Sequence, residues 1–451
     1  MTGIARTGIA TTGIATIGLA TASVRSRPSA FAGTAAALAC CTAAVTACVT
    51  LAFSAARLPV SAQQAELYDV GFAFSQLAVY LSVLVIGQVM SLAVAQRGRE
   101  SALLRAVGAE PRQIRRMVAT EALWTCVPVL PVGYALGVAL AHAWLAVLGA
   151  NGMTPDGLVL VAGWPVAATT TGVVLVCSQL GARVGAWRAS RVRPAAALAA
   201  TAVPGGARAG RVRAVVAVLV LAGAAGLTVV AGASSAADAA SEVPIVLLAY
   251  LIGIGLAGPW IGWSVTALVA PVLLRHVGVA GELAVAGCRA RSRRLSSAIT
   301  PVALVTAFTV VQLVSMTGAG EPDVMAVCGT LLFVGFTGLV SASTLVMLTV
   351  ERLREISLLR TVGAEARQVV AVVAIEAGVT ALAGLGTGIL AACAVLVPLG
   401  EKVGTPVSGL PAWVWAATLV CGTALVLTAS CAPLARMLRV RAVEGVLRYS
   451  S

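Results

Sequence analysis

Ten cysteines, two histidines and seventeen acids are the side chains of this 451-residue chain that could ligate a metal, attack a substrate or move a proton. The cysteines form no Cys-x-x-Cys, and His142 and His276 lie far apart, so the sequence indicates neither a metal site nor a disulfide framework. As small apolar side chains the cysteines are expected to pack between helices. A phosphate-cradling loop needs Gly-x-x-x-x-Gly-Lys-Ser/Thr, yet the one lysine, Lys402, stands between Glu401 and Val403. The chain is therefore expected not to be an enzyme and to bind no cofactor of its own.

The specific spacing in this sequence belongs to a different kind of chemistry. Residues Arg97 to Gln113 read RGRESALLRAVGAEPRQ, and Arg352 to Gln368 read RLREISLLRTVGAEARQ, most positions matching at a constant offset of 255, with the match continuing to Glu121 and Glu376. As a helix, Leu103, Leu104 and Val107 form an apolar stripe with Glu100 and Arg105 around it, and Leu358, Leu359 and Val362 repeat the stripe. Gly108 and Gly363 suit a helix end, and Pro111 suits the first turn of the next helix. Alone, such a turn reads as a basic cytoplasmic loop with helix caps; repeated whole, this stiff, charged turn is expected to be a docking element for another protein.

Glu121 and Glu376 fall just inside the following apolar stretches, where a carboxylate near a helix start is favoured by the helix dipole. The polar residues placed deeper are Gln76, Gln88, Gln179 and Gln312, which can hydrogen-bond between helices or line a substrate path.

The elements that carry these residues follow from composition. Hydrophobic residues make up 59% of the chain and charged ones 11%, with a mean hydropathy of +0.97. A soluble domain carries about 25% charged residues, so this is a chain solvated by lipid. Ten stretches are long enough to span a bilayer: Ser29–Phe53, Val70–Gln96, Val118–Leu148, Leu158–Leu180, Ala214–Ala233, Pro244–Leu274, Ser297–Thr317, Val324–Val350, Val369–Leu399 and Pro411–Leu434. Alternate hydrophilic segments hold 29 of the 31 basic residues with nine acids, a sum of +20; the others hold Arg57 and Lys402 with eight acids, a sum of −6. Because basic loops stay inside, both termini are expected in the cytoplasm. The net charge of +14 thus marks orientation and attraction to membrane lipid, not nucleic acid, since the arginines are divided among six short segments.

The repeat divides the chain. Residues 1–28, with their Thr-Gly-Ile-Ala theme, are expected to be a cytoplasmic tail, poorly ordered or interfacial; 29–198 and 291–451 are two four-helix copies; 199–290 is a linker with a two-helix connector. Arg25-Ser26-Arg27 resembles Arg291-Ser292-Arg293, Thr154-Pro155 with Trp164 resembles Thr405-Pro406 with Trp415, and Arg191-Val192-Arg193 resembles Arg439-Val440-Arg441. An even number of spans between the copies makes this a parallel repeat. The expected fold is an all-α polytopic membrane protein of about ten transmembrane helices.

The Glu-x-x-x-Leu-Arg-x-x-Gly-Ala signature after the second helix of each copy resembles the FtsX-like permease family of ABC transporters. The resemblance implies that the segment between second and third helices sits on the ATPase, which nominates Glu100, Leu104, Arg105, Gly108 and Ala109, and Glu355, Leu359, Arg360, Gly363 and Ala364. It implies a permease subunit of a bacterial plasma-membrane transporter that exports or extracts a lipophilic or amphipathic compound. ATP and Mg would be held by partner ATPase subunits, two per chain because there are two docking segments. Many relatives carry a large extracellular domain after the first helix, where this chain has only Ser54–Asp69 and Gly318–Asp323. Two other classes fit a polytopic chain: a non-transporting signalling subunit that relays the state of an ATPase, and an ion-coupled secondary transporter.

Overall fold

The computed structural model describes residues 28–57, 62–96, 108, 110–150, 159–190, 207–290, 292–318, 324–350, 356, 360–361, 363–400 and 411–438. They form twelve helices and no strand. Nine are long and apolar enough to cross a membrane. The chain is an all-α polytopic membrane protein, and it divides after residue 206 into two compact units. The expected N-terminal tail, residues 1–27, lies outside the described residues.

The first unit contains α1 (Pro28–Ala55), α2 (Ala62–Gln96), α3 (Pro111–Cys126), α4 (Val129–Ala150) and α5 (Trp164–Ser190). Its centre is α1, which packs against α2, α4 and α5 and carries a buried face including Leu38, Cys41, Val45 and Cys48. The third expected span is not one helix: α3 ends at Cys126 and α4 begins at Val129. Pro128 and Pro131 have no N–H to give the carbonyls four residues earlier, and their rings crowd the preceding turn.

The second unit contains α6 (Ala207–Ala233), α7 (Ala236–His276), α8 (Val279–Ala290), α9 (Ser292–Gly318), α10 (Val324–Val350), α11 (Ala366–Leu399) and α12 (Ala412–Leu438). Here α9 is central, packed against α7, α10, α11 and α12. The connector helices α6 and α7 pack on each other, and α7 packs on α9 and α11. The short α8 is a twelve-residue helix that the sequence reading places inside the connector without separate structure. It buries Gly281, Ala284, Val285 and Cys288 and exposes Glu282 and Arg289.

With no hydrophobic drive between helices in lipid, association depends on small residues that let backbones approach. Both copies use the same crossing. A Cβ built at Gly133 of α4 would stand 2.5 Å from the Thr42 Cβ and 3.0 Å from the Ala39 carbonyl oxygen of α1. At Gly388 of α11, 255 positions later, it would stand 2.7 Å from both the Thr306 Cβ and the Ala303 oxygen of α9. The threonine hydroxyls donate to their own helices, Thr42 to the Leu38 carbonyl at 2.7 Å and Thr306 to that of Val302 at 2.8 Å. That leaves the rest of each side chain for the contact.

Candidate docking site

Each copy of the repeated motif turns at the same glycine. Gly108 has φ 104° and Gly363 has φ 105°, a left-handed conformation that side chains resist. In the second copy the turn closes with the Gly363 N–H donating to the Arg360 carbonyl at 3.2 Å. A glutamate then caps the next helix. The Glu110 N–H donates to Gln113 Oε1 at 2.9 Å ahead of α3, and the Glu365 N–H donates to Gln368 Oε1 at 3.1 Å ahead of α11. These caps occupy donors that the helix starts would otherwise leave open.

One side of each helix start is fixed by burial. Ile114 and Val118 are buried in α3; Val369 and Val373, their counterparts in α11, cluster with Ile356 and with Leu434 of α12, and Ala364 packs against them. Solvent meets the other side: Gly108, Glu110, Arg112, Gln113 and Arg116 are exposed, as are Thr361, Gly363, Glu365, Arg367 and Gln368. Arg360 and Ala364 are half-buried. Of the nominated residues, Glu100, Leu104, Arg105, Ala109, Glu355 and Leu359 lie outside the described residues.

The two acidic residues are placed differently from the sequence expectation. Glu121 and Glu376 are each the eleventh residue of their helices, about 15 Å along the axis from the first, where the dipole effect has faded. Burial marks them instead, with exposures of 7% and 5%. A Cβ built at Gly287 of α8 would stand 2.6 Å from Oε1 of Glu376, so α8 lies directly on this carboxyl group.

The glutamines are placed one by one. Gln179 of α5 donates to the Ala119 carbonyl of α3 at 3.1 Å, the interhelical bond the sequence suggests. Gln76 instead donates to Tyr80 Oη at 2.9 Å within its own helix. Gln312 is half-buried on α9, and the side chain of Gln88 lies outside the described residues.

One polar contact is absent from the sequence reading altogether. Arg213 of α6 is half-buried; its Nε donates to the Leu256 carbonyl of α7 at 2.8 Å and its Nη2 to that of Gly255 at 3.0 Å. Ser296 of α9 also donates to the Gly255 oxygen, at 3.3 Å. Pro259, four residues on, has no N–H to offer that carbonyl, so the arginine and the serine satisfy it. The visible signal was an arginine entering an apolar run paired with a proline inside the next one.

These features define a polytopic membrane subunit with a duplicated, outward-facing turn and no catalytic constellation among the described residues. The FtsX-like permease C-terminal family model matches residues 72–194 and again 327–442. The chain therefore belongs to the FtsX-like permease family, the membrane subunits of ABC transporters that work with separate ATPases, and its two matched regions are an internal repeat. Comparison with curated proteins gives no match.

Proposed function

We propose that this permease subunit exports or extracts a lipophilic or amphipathic compound from a bacterial plasma membrane, driven by two ATPase subunits, one docked at each turn. ATP-driven closure of the pair would push the turns at Gly108 and Gly363 and move α3 and α11 behind them. The observation that carries this reading is the repeated turn itself, with the same left-handed glycine and the same Gln-to-Glu cap at the heads of α3 and α11. The distribution of arginines supports an orientation in which both turns and both termini face the cytoplasm.

Arg105 and Arg360 would supply charge to the docked surface, with Glu100, Glu355, Leu104 and Leu359 shaping the helix that leads into each turn. Replacing both arginines by alanine is expected to lower co-purification of the ATPase and its stimulation by the permease about tenfold or more, the loss of roughly 1.4 kcal/mol of binding. An unchanged complex with unchanged stimulated ATP hydrolysis would overturn the assignment. Flux of a lipophilic dye in vesicles containing permease and ATPase tests transport separately.

A further inference from the structure

Most buried serine and threonine hydroxyls among the described residues bond their own helix. Thr42, Thr50 and Ser54 of α1 donate to the carbonyl four residues back, as do Thr306 of α9, Thr337 of α10 and Thr380 of α11. Four others depart from this habit: Thr46 of α1, Ser82 of α2, and Thr170 and Ser178 of α5 have buried hydroxyl oxygens that reach no hydrogen-bond partner. The indole nitrogen of Trp144 on α4 is buried in the same way. All five groups belong to the first unit.

They form a file through the packing of α1, α2 and α5, helices that touch one another pairwise. Gly71 of α2 faces Ala52 of α1, while Ser82 of α2 stands beside Cys41, so α2 runs against α1. The Val161 N–H, just ahead of α5, donates to Ser54 Oγ near the end of α1 at 2.9 Å, so α5 runs against α1 as well. Gly181 of α5 then faces Gly87 and Met90 of α2. Counted along the helices from these contacts, Ser82 and Ser178 share one depth, and Thr46 and Thr170 lie together about 8 Å further towards the Ser54 end. Trp144 follows Gly137, which faces Thr46, by about 10 Å more, and its ring meets Phe74 of α2.

The second copy has no such file at the matching positions. Through the Thr42 and Thr306 crossings, Cys41 and Thr46 correspond to Val305 and Val310, both buried. Through the offset of 255, Cys126 and Ser82 correspond to Ala381 and Thr337, and Thr337 bonds the Phe333 carbonyl at 2.6 Å. In the first copy, the neighbours of the deeper pair are thiols, Cys41 beside Ser82 and Cys126 beside Ser178, which are weak partners at best.

A buried polar group without a partner is costly, and among helices solvated by lipid no water stands by to satisfy it. The five groups are uncharged, and four of them both donate and accept, which suits water rather than an ion. We infer that the first unit opens along this file, α1 parting from α2 and α5, and that the opened file is a water-lined path through the permease. The inference rests on the transport reading above and sets the path in the first copy, at the depth where α3 ends at Cys126 and gives way to α4.

Unfolding of the purified full-length chain in detergent tests the file without any ATPase. Thr46→Val, Thr170→Val, Ser82→Ala and Ser178→Ala each remove a polar atom that has no partner in the closed unit, and each should raise the unfolding midpoint by about 1–3 °C. Thr337→Val and Ser341→Ala remove hydroxyls that bond the Phe333 and Pro301 carbonyls, and should give no such rise. Midpoints that fall or stay level in the first four variants would overturn the inference. The thiols beside the file report its opening. In membranes that also hold the ABC ATPase co-purifying with the wild-type chain, a charged, water-soluble thiol reagent should label Cys41 and Cys126 several times faster during ATP hydrolysis, as read by peptide mass spectrometry. Cys288 of α8, buried in the second unit, should stay protected. Stimulated ATP hydrolysis with unaltered labelling of Cys41 and Cys126 would overturn the opening and leave the docking reading standing. A chain that recruits no ATPase would instead sink the docking reading, and the midpoints would then decide the file by themselves.

Discussion

The two copies begin alike and then diverge. From Gly108 to Gln113 and from Gly363 to Gln368 the backbone turns at the same angle and closes with the same cap. Behind the first turn, however, the shaft is split: α3 carries Arg115 and Arg116, ends at Cys126, and gives way to α4 after Pro128. Behind the second, α11 runs unbroken from Ala366 to Leu399, with Val370 and Ala371 at the positions of the two arginines and Ala383 at that of Pro128. The same displacement would be passed along a continuous rod in one copy and into a joint in the other. The repeat keeps the turn and its cap and differs in the helix behind them.

The largest effect should come from exchanging the joint. Ala383 is 1% exposed in the middle of α11, so Ala383→Pro removes a hydrogen bond inside a buried, continuous helix and is expected to cost about 3 kcal/mol or more. Pro128→Ala restores an N–H at an existing break and should alter stability by less than about 1 kcal/mol. Thermal unfolding of the two purified variants in one detergent makes the comparison. Equal losses would show that the break at Pro128 is as demanding structurally as the continuous helix.

Next in size are the crossing glycines. Gly133→Ala and Gly388→Ala each place a methyl group within 2.5 to 2.7 Å of a threonine Cβ, and overpacking of this kind costs about 1–3 kcal/mol. Because the crossings correspond, the two losses should be similar. A clear inequality in unfolding midpoints would mean that the kinked α3–α4 pair yields where α11 cannot, which sharpens the contrast between joint and rod. Two unchanged midpoints would remove close approach as the basis of the packing in both copies.

Much of this architecture is legible from the sequence because it depends on neighbours along the chain. Apolar runs give the membrane helices, and the Gly-Ala-Glu sequence ahead of Pro111 or Ala366 gives the turn and its cap. What escapes the sequence depends on residues far apart. The burial of Glu376 is set by Gly287, nearly ninety positions earlier, and the role of Arg213 is set by Pro259 on the next helix. α8 is too short to register as a span, although its alternation of buried and exposed residues is that of an amphipathic helix. The break at Pro128 is visible as a proline, but membrane helices often tolerate proline, so the residue type alone does not decide between a kink and continuity. Gln76 shows the same ambiguity on a smaller scale, since Tyr80 on its own helix takes the bond that a neighbouring helix could have taken.

The smallest effect tests what the copies share. Gly108→Ala and Gly363→Ala force a side chain into the left-handed region, at about 1–2 kcal/mol each, while the space around both positions is open. The cost should therefore be conformational and nearly equal in the two copies, and asparagine, which tolerates this backbone better, should recover part of it. Stability alone does not distinguish a docking turn from an ordinary loop, so stimulated ATP hydrolysis by the partner subunit is the second measurement. If both turns are docked, each alanine should lower stimulation and the asparagine variants should restore it in step with stability.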